Sequence, residues 1–208
     1  MIDTGRTLAA DELEFLAEDE LVEILPNTTL GILHFIADDY GPIRTNTLCK
    51  VPLWLARQLR RSQLCRIIPP SWLHLSSLQS LLEAETNNRD DFQSLPPHYL
   101  EIATILLEVA REDIPRCEEV RWTIQSLREI RGLKIQQGLP LIDGNPMKLN
   151  NVGCFELNEI RPFLLGTLDQ FTRLARLETE ESRLGSTRKT NNSLYYGNTP
   201  LYSDQLYK

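Results

Sequence analysis

The chain has 208 residues, 41% of them hydrophobic, with a formal net charge of −7 and a pI near 5.1. That length supports one domain or two small ones with a real core, and the acidic balance argues against a protein whose main business is binding nucleic acid. Met1 to Glu20 is acidic rather than apolar, and the most apolar helix-like run, Tyr99 to Ala110, is too short for a bilayer and is interrupted by Glu and Thr, so the chain reads as soluble and intracellular.

Residues 1 to 10 read as loose. Asp11 to Ala17 reads as a short helix, with Leu13 and Leu16 one turn apart. Leu21 to Leu25 is a strand stopped by Pro26-Asn27, and Leu30 to Ile36 is a second, with Ile32, His34 and Ile36 alternating against Leu33 and Phe35. His34 in such a run reads as a packed residue rather than a ligand. Asp38 to Pro42 is turn chemistry. Leu48 to Val51 leads into a helix whose first turn tolerates Pro52. In that helix Trp54, Leu55 and Leu59 recur at helical spacing with Arg57, Arg60 and Arg61 between them. Cys65 to Ile68 is a β-favouring run ended by Pro69-Pro70. This double proline reads as a stiff seam, with Trp54 on one side and Trp72 on the other.

After the prolines the pattern is helical. Leu75, Leu78, Leu81 and Leu82 form a stripe, with Ser76 and Gln79 in capping-box relation. Thr86 to Asp91 is a polar loop. Tyr99 to Ala110 is apolar on both faces, which predicts a central helix covered on several sides by other helices or other chains. Pro115 heads a third helix with Val120, Ile124, Leu127 and Ile130 as its stripe; Arg121, Arg128, Arg131 and Lys134 alternate with Glu118, Glu119 and Glu129 on its remaining surface. Leu139 to Leu149 is a loop. A last helix starts between Asn158 and Arg161, because Pro162 is poorly placed in a helix interior, and runs to about Leu177 on Phe163, Leu164, Leu168, Phe171 and Leu174. The polar tail beyond Glu178, with Tyr195, Tyr196, Tyr202 and Tyr207, is expected to be disordered.

Phosphate-loop, dinucleotide, nucleophile-elbow and zinc-protease motifs are all missing. Cys49, Cys65, Cys117 and Cys154 are scattered, form no C-x-x-C pair and do not cluster with His34, His74 or His98; they read as small buried hydrophobes in a reducing compartment, with no metal and no cofactor. Neighbouring acids such as Asp38-Asp39, Asp90-Asp91 and Glu118-Glu119 lack any sign of the divergent environments that acid–base pairs need. Lys50, Arg57, Arg60, Arg61 and Arg66 form a basic cluster. It reads either as a contact surface or as a helix face balancing nearby acids, and the second reading is preferred over nucleic-acid binding because stacking aromatics are not interleaved.

An ordered series of short matches resembles one known family. V-P-L-W-L-A (51 to 56) followed by C-R-I-I-P-P-S-W (65 to 72) is joined by E-F-L-A-E at 14 to 18, I-L-P-N at 24 to 27 and Gly41-Pro42. Ile114-Pro115, Glu119-Val120-Arg121, Lys148-Leu149, Asn151, Glu156 and Phe163-Leu164 then follow in order. The series, covering roughly 12 to 177, resembles the GINS subunits of the Partner of Sld Five two type, from eukaryotic DNA replication. The resemblance implies a mainly α (α+β) fold: a small β-rich domain over 1–70, a helical bundle over 71–178 and a tail over 179–208. It implies a nuclear, non-catalytic scaffold in a heterotetramer with three other GINS subunits, which joins the MCM ring and its Cdc forty-five cofactor to give the active replicative helicase. A replicative polymerase is reached through the complex, and DNA contact is indirect or weak. Trp54, Arg57, Arg61, Trp72, Tyr99, Trp122, Phe163 and Phe171 are the assembly candidates, and for each aromatic a place in the core is equally open. An enzyme or small-molecule binder with a helical pocket around Tyr99 to Ala110 and a nucleic-acid-binding module are the competing readings.

Overall fold

A computed structural model describes residues 7–36, 38–88, 91–141 and 149–195. The chain divides into two compact units, the first ending at Pro162 and the second beginning at Phe163.

The first unit opens with α1 (Ala10–Ala17), which buries Leu13 and Ala17, one helical turn apart. β1 (Leu21–Pro26) follows and alternates as its sequence requires: Val22, Ile24 and Pro26 are buried while Leu21 and Glu23 are exposed. It is the centre of a three-stranded antiparallel sheet, flanked by β4 (Cys49–Pro52) and β5 (Cys65–Ile68). The registers Val22↔Val51 and Ile24↔Ile67 put the β-branched side chains of all three strands on one face. A separate two-stranded ribbon joins β2 (Leu33–His34) to β3 (Asp39–Tyr40). The expected long strand from Leu30 to Ile36 is therefore only two residues long, and His34 is exposed rather than packed, its Nδ1 2.8 Å from Asp39 Oδ1. Gly41 follows the ribbon with a φ of +131°, and a Cβ there would come within 2.9 Å of the Gly31 carbonyl oxygen, so the position demands glycine.

α2 (Leu53–Arg61) buries Leu53, Leu55, Ala56 and Leu59 on the sheet, and Pro52 serves as its N-cap residue. The double proline leads into a single 3-10 turn (Ser71–Leu73) and then α3 (Leu75–Asn87). His74 caps α3 without a side-chain bond, so Ser76 and Gln79 lie inside the helix and form no capping box. α4 (Tyr99–Val109) is buried on almost every side; only Thr104 and Glu108 are exposed. Its cover comes from this chain, from α1, α2 and α5 (Cys117–Gly138). A single buried cluster runs from the sheet through α2 and Leu73 to α4 and α5.

α6 (Cys154–Tyr195) starts at Cys154, ahead of the expected Asn158–Arg161 window, so that Pro162 lies inside it, and it continues past Leu177. Proline removes one i→i−4 bond, here to the carbonyl of Asn158. The first turns are held by other means: the Cys154 N–H donates to the Pro97 carbonyl at 2.7 Å, and the Asn158 amide both donates to the Leu8 carbonyl and accepts from the Leu8 N–H. Tertiary bonds thus outweigh the local rule. Residues 142–148, Arg89, Asp90, and Tyr196, Tyr202 and Tyr207 of the tail lie outside the described residues.

At the seam, Leu73 is fully buried while Trp72 is half-buried against the same core. Leu73→Ala should cost about 2–5 kcal/mol and Trp72→Ala less, measured by urea unfolding; equal or reversed losses would show that the indole, not the leucine, anchors the turn.

Candidate assembly surfaces and the buried polar cluster

The eight candidate residues do not converge on one place. Trp54 sits in an aromatic trio, with its ring 4.9 Å from that of Phe35 in a T-shaped arrangement and 6.2 Å from that of Tyr40. It therefore ties the β2–β3 ribbon to α2 rather than meeting Trp72 across the seam. Arg57 Nη1 donates to Glu18 Oε1 at 2.5 Å, joining α2 to the end of α1. Arg60 lies between Glu112 (3.0 Å) and Asp113 (2.8 Å), and exposed Arg61 is 3.8 Å from Glu108. Asp113 also accepts the Ile67 N–H at 3.1 Å, which satisfies one backbone donor on the outer edge of β5. Lys50 is 3.8 Å from Glu23. The basic cluster is thus largely spent on the chain's own acids, and this is the physical ground for preferring a balanced face over a phosphate-binding one.

Tyr99 is buried, and it sits in a cluster of buried polar groups. Its hydroxyl donates to Glu156 Oε1 at 2.7 Å. Glu156 also takes a two-pronged contact from Arg131, Nε to Oε1 at 2.6 Å and Nη2 to Oε2 at 2.8 Å, and accepts the Gly153 N–H at 2.8 Å. The remaining Arg131 donors reach the carbonyls of Asn151 (2.6 Å) and Gln93 (3.3 Å). Glu85 of α3 stands 3.6 Å from Arg131 Nη1 and accepts from Lys134 Nζ at 2.8 Å and from the Gln93 N–H at 2.9 Å. The Phe92 ring lies 4.9 Å from the guanidinium carbon. Gly153 is needed for this closeness: a Cβ there would fall 2.9 Å from a Tyr99 ring carbon.

Arg131 is 0% exposed, whereas its charge suggested a surface position. The signal was in the spacing. Arg131 follows Val120, Ile124 and Leu127 at helical intervals, so it continues the buried stripe of α5 and not the polar face. Glu85 and Glu156 carried no comparable sequence signal, because their partners come from distant segments. Burial works against the charged forms here. For Glu156 the hydrogen bonds and charge of Arg131 more than offset that penalty and hold its carboxyl below the usual range, and Glu156 in turn holds the guanidinium charged. Burial and the adjacent Glu156 push the Tyr99 phenol well up, so it remains a neutral donor.

A second polar group lies at the α4–α6 junction. His98 Nδ1 is 3.8 Å from Glu101 Oε1, and His98 Nε2 is 3.7 Å from Cys154 Sγ. Both Glu101 oxygens and His98 Nδ1 are buried without hydrogen-bond partners among the described residues. Burial pushes the Glu101 carboxyl and the Cys154 thiol up. A thiol held protonated is a poor nucleophile. Among the described residues no group of three or more His, Cys, Asp or Glu is placed to hold a metal ion, and no helix is long and apolar enough to cross a membrane.

The remaining candidates face outward. Trp122 on α5 is 69% exposed and borders an open groove of about 440 Å3 between α4 and α5, lined by Leu100, Leu107 and Ile124 with Arg121 and Arg128. In the second unit, Phe163, Leu165, Leu168, Leu174 and Leu177 are exposed along α6, and Phe171 is half-buried.

Two family models match the chain: one described as the PSF2 N-terminal domain over residues 9–68, the other as the GINS complex protein helical bundle domain over residues 72–175. The chain is 33% identical over 175 residues to the Schizosaccharomyces pombe DNA replication complex GINS protein psf2, spanning 84% of this chain and 95% of that protein. It is 34% identical over 175 residues to a probable DNA replication complex GINS protein PSF2 of Drosophila melanogaster (82% and 86%). It is 33% identical over 182 residues to the DNA replication complex GINS protein PSF2 of Homo sapiens (84% and 98%).

Glu156 supplies the pH dependence. Its folded pKa lies below the unfolded value of about 4.3, so its stabilisation is complete above that value and is lost as pH falls through the lower, folded one. Acid unfolding followed by circular dichroism should be less steep in this range for Glu156→Gln, which starts from a lower stability. At neutral pH, Arg131→Met leaves Glu156 without its counter-charge and should cost about 3–5 kcal/mol, whereas Arg131→Met combined with Glu156→Met should recover part of that loss. A double variant as unstable as the sum of the singles would show that the pair is not coupled.

Proposed function

The chain belongs to the PSF2 family of GINS complex subunits, which act in DNA replication, and from that premise we propose that it is a non-catalytic scaffold subunit, nuclear, assembled with the three other GINS subunits. Through that assembly it joins the MCM ring and its Cdc forty-five cofactor in the active helicase and reaches a replicative polymerase; contact with DNA is indirect. The observation that carries the reading is the exposed Trp122 beside the α4–α5 groove. A large aromatic left in solvent next to apolar lining is the form an interface anchor takes, because Trp and Arg dominate binding energy when a partner excludes water from them. Arg128 adds a flanking group, held in place over the Phe155 ring at 4.4 Å and by Glu159 at 3.2 Å. In the second unit, the exposed leucines and Phe163 of α6 are further apolar groups open to partners.

Trp122→Arg tests this. Because the side chain is exposed, the variant's unfolding free energy should stay within about 0.5 kcal/mol of the parent. Co-expressed with three GINS partners and passed over a sizing column, it should separate from the complex while the parent co-elutes. Full retention of the variant in a stoichiometric complex would count against the groove as an assembly surface.

A further inference from the structure

α1 has two apolar faces and only one is covered. Leu13 and Ala17 are buried, with α4 packed beneath the helix. Phe15 and Leu16 point outward, 71% and 49% exposed, and with Leu8, Asp11 and Glu12 they line an open groove of about 390 Å3. An exposed phenylalanine next to an exposed leucine contributes nothing to this chain's core, yet it offers a partner one of the larger apolar areas a side chain can bury.

The charge of the segment that carries the groove is one-sided. From Thr7 to Ile43 the sequence contains nine Asp and Glu and no Lys or Arg, whereas the rest of the chain holds twenty acids against twenty-two bases. The whole negative charge of the protein is therefore concentrated in this segment. Glu18 is used by Arg57 and Glu23 lies near Lys50. Asp11, Asp19 and Glu20 are exposed, and among the described residues none has a cationic partner in an ion pair. The first-turn position of Asp11 suits the helix dipole, but Asp19 and Glu20 lie past the C-terminal end, where that dipole disfavours them.

We propose that the outer face of α1 docks a basic amphipathic segment of a partner protein, one presenting Leu- or Phe-type side chains at helical spacing flanked by Lys and Arg. The apolar side chains would cover Phe15 and Leu16, and the cations would supply the counter-charge this segment lacks. The acidity selects against the other occupants. A phosphate backbone or an anionic lipid surface is repelled, and a second copy of the same face would set the two acidic rims against each other.

The test uses the full chain and three labelled synthetic peptides of about four helical turns: a Leu/Phe-and-Lys amphipathic helix, the same peptide with every Lys replaced by Glu, and a scramble that keeps the Lys content. Fluorescence anisotropy should show the first binding at least about tenfold more tightly than either control. Affinity for it should fall about tenfold in Phe15→Ser and in Asp11→Lys, and fall again as salt rises. Both positions are exposed, and circular dichroism checks that each variant remains folded. Wild-type affinity in Phe15→Ser, or equal binding of the scramble, would overturn the proposal. So would sedimentation showing that the chain self-associates through Phe15 with no peptide present, because the occupant would then be a second copy. This result is read at Phe15 and the assembly result at Trp122, so either can fail while the other stands.

Discussion

The guanidinium of Arg131 is the point on which the helical part of the first unit depends. An arginine with no exposed surface is tolerable only when every direction of its charge is met. Meeting it recruits Glu85 from α3, the Gln93 carbonyl from the following loop, Tyr99 at the start of α4, the Asn151 carbonyl, and Glu156 in the first turn of α6. These groups lie far apart in the chain, and each bond has a direction. The cluster therefore specifies where α3, α4, α5 and the first turn of α6 stand within the first unit in a way that non-directional apolar packing would not. Its net contribution to stability is smaller than its contact list suggests, because two carboxylates and two cations are desolvated to make it.

The same economy governs the outside of the molecule. Arg57, Arg60 and Arg61 look like a cationic patch in sequence, but folding brings Glu18, Glu112, Asp113 and Glu108 to them. These acids come from α1 and from the α4–α5 region, none of it adjacent in sequence to α2. The pairing turns a candidate phosphate surface into a set of struts between the sheet-bearing part and the helices. Exposed pairs of this kind add little stability, though half-buried Arg57 and Arg60 fix orientation more firmly.

What the sequence made legible follows from the range of each signal. Short-range patterns transferred well. The alternation in β1, the run of β5, the all-round apolar character of α4 and the stripe of α5 each depend on residues within one element. The mainly helical fold with a small N-terminal sheet follows from these, and the family resemblance agrees with it. The failures were of two kinds. His34 reads as packed because it alternates in an apolar run, but within that run a strand forms only over Leu33–His34 and the ring is left in solvent. Pro162 argues locally for a helix that starts only between Asn158 and Arg161, but the contacts that hold the earlier start at Cys154 and Asn158 come from Pro97 and Leu8. The buried cluster was missed for the same reason, since Glu85 and Glu156 acquire meaning only beside Arg131.

These placements also move the surface available for assembly. The apolar symmetry of α4 suggests a helix covered by other helices or by other chains, and in the second case a partner would cover much of α4 directly. In the structure α4 is enclosed by α1, α2 and α5 of its own chain. Enclosing it uses one face of each covering helix. On α5 the Val120–Ile124–Leu127–Arg131 stripe is committed inward, and Trp122, lying off that stripe, is left outside. On α1 the pair Leu13 and Ala17 is committed inward, and Phe15 and Leu16 are left outside. The outward apolar groups are thus the opposite faces of the very helices that protect the core. Substitution there should change what the protein binds before it changes whether the protein folds, which separates the energetics of association from those of stability along a single helix.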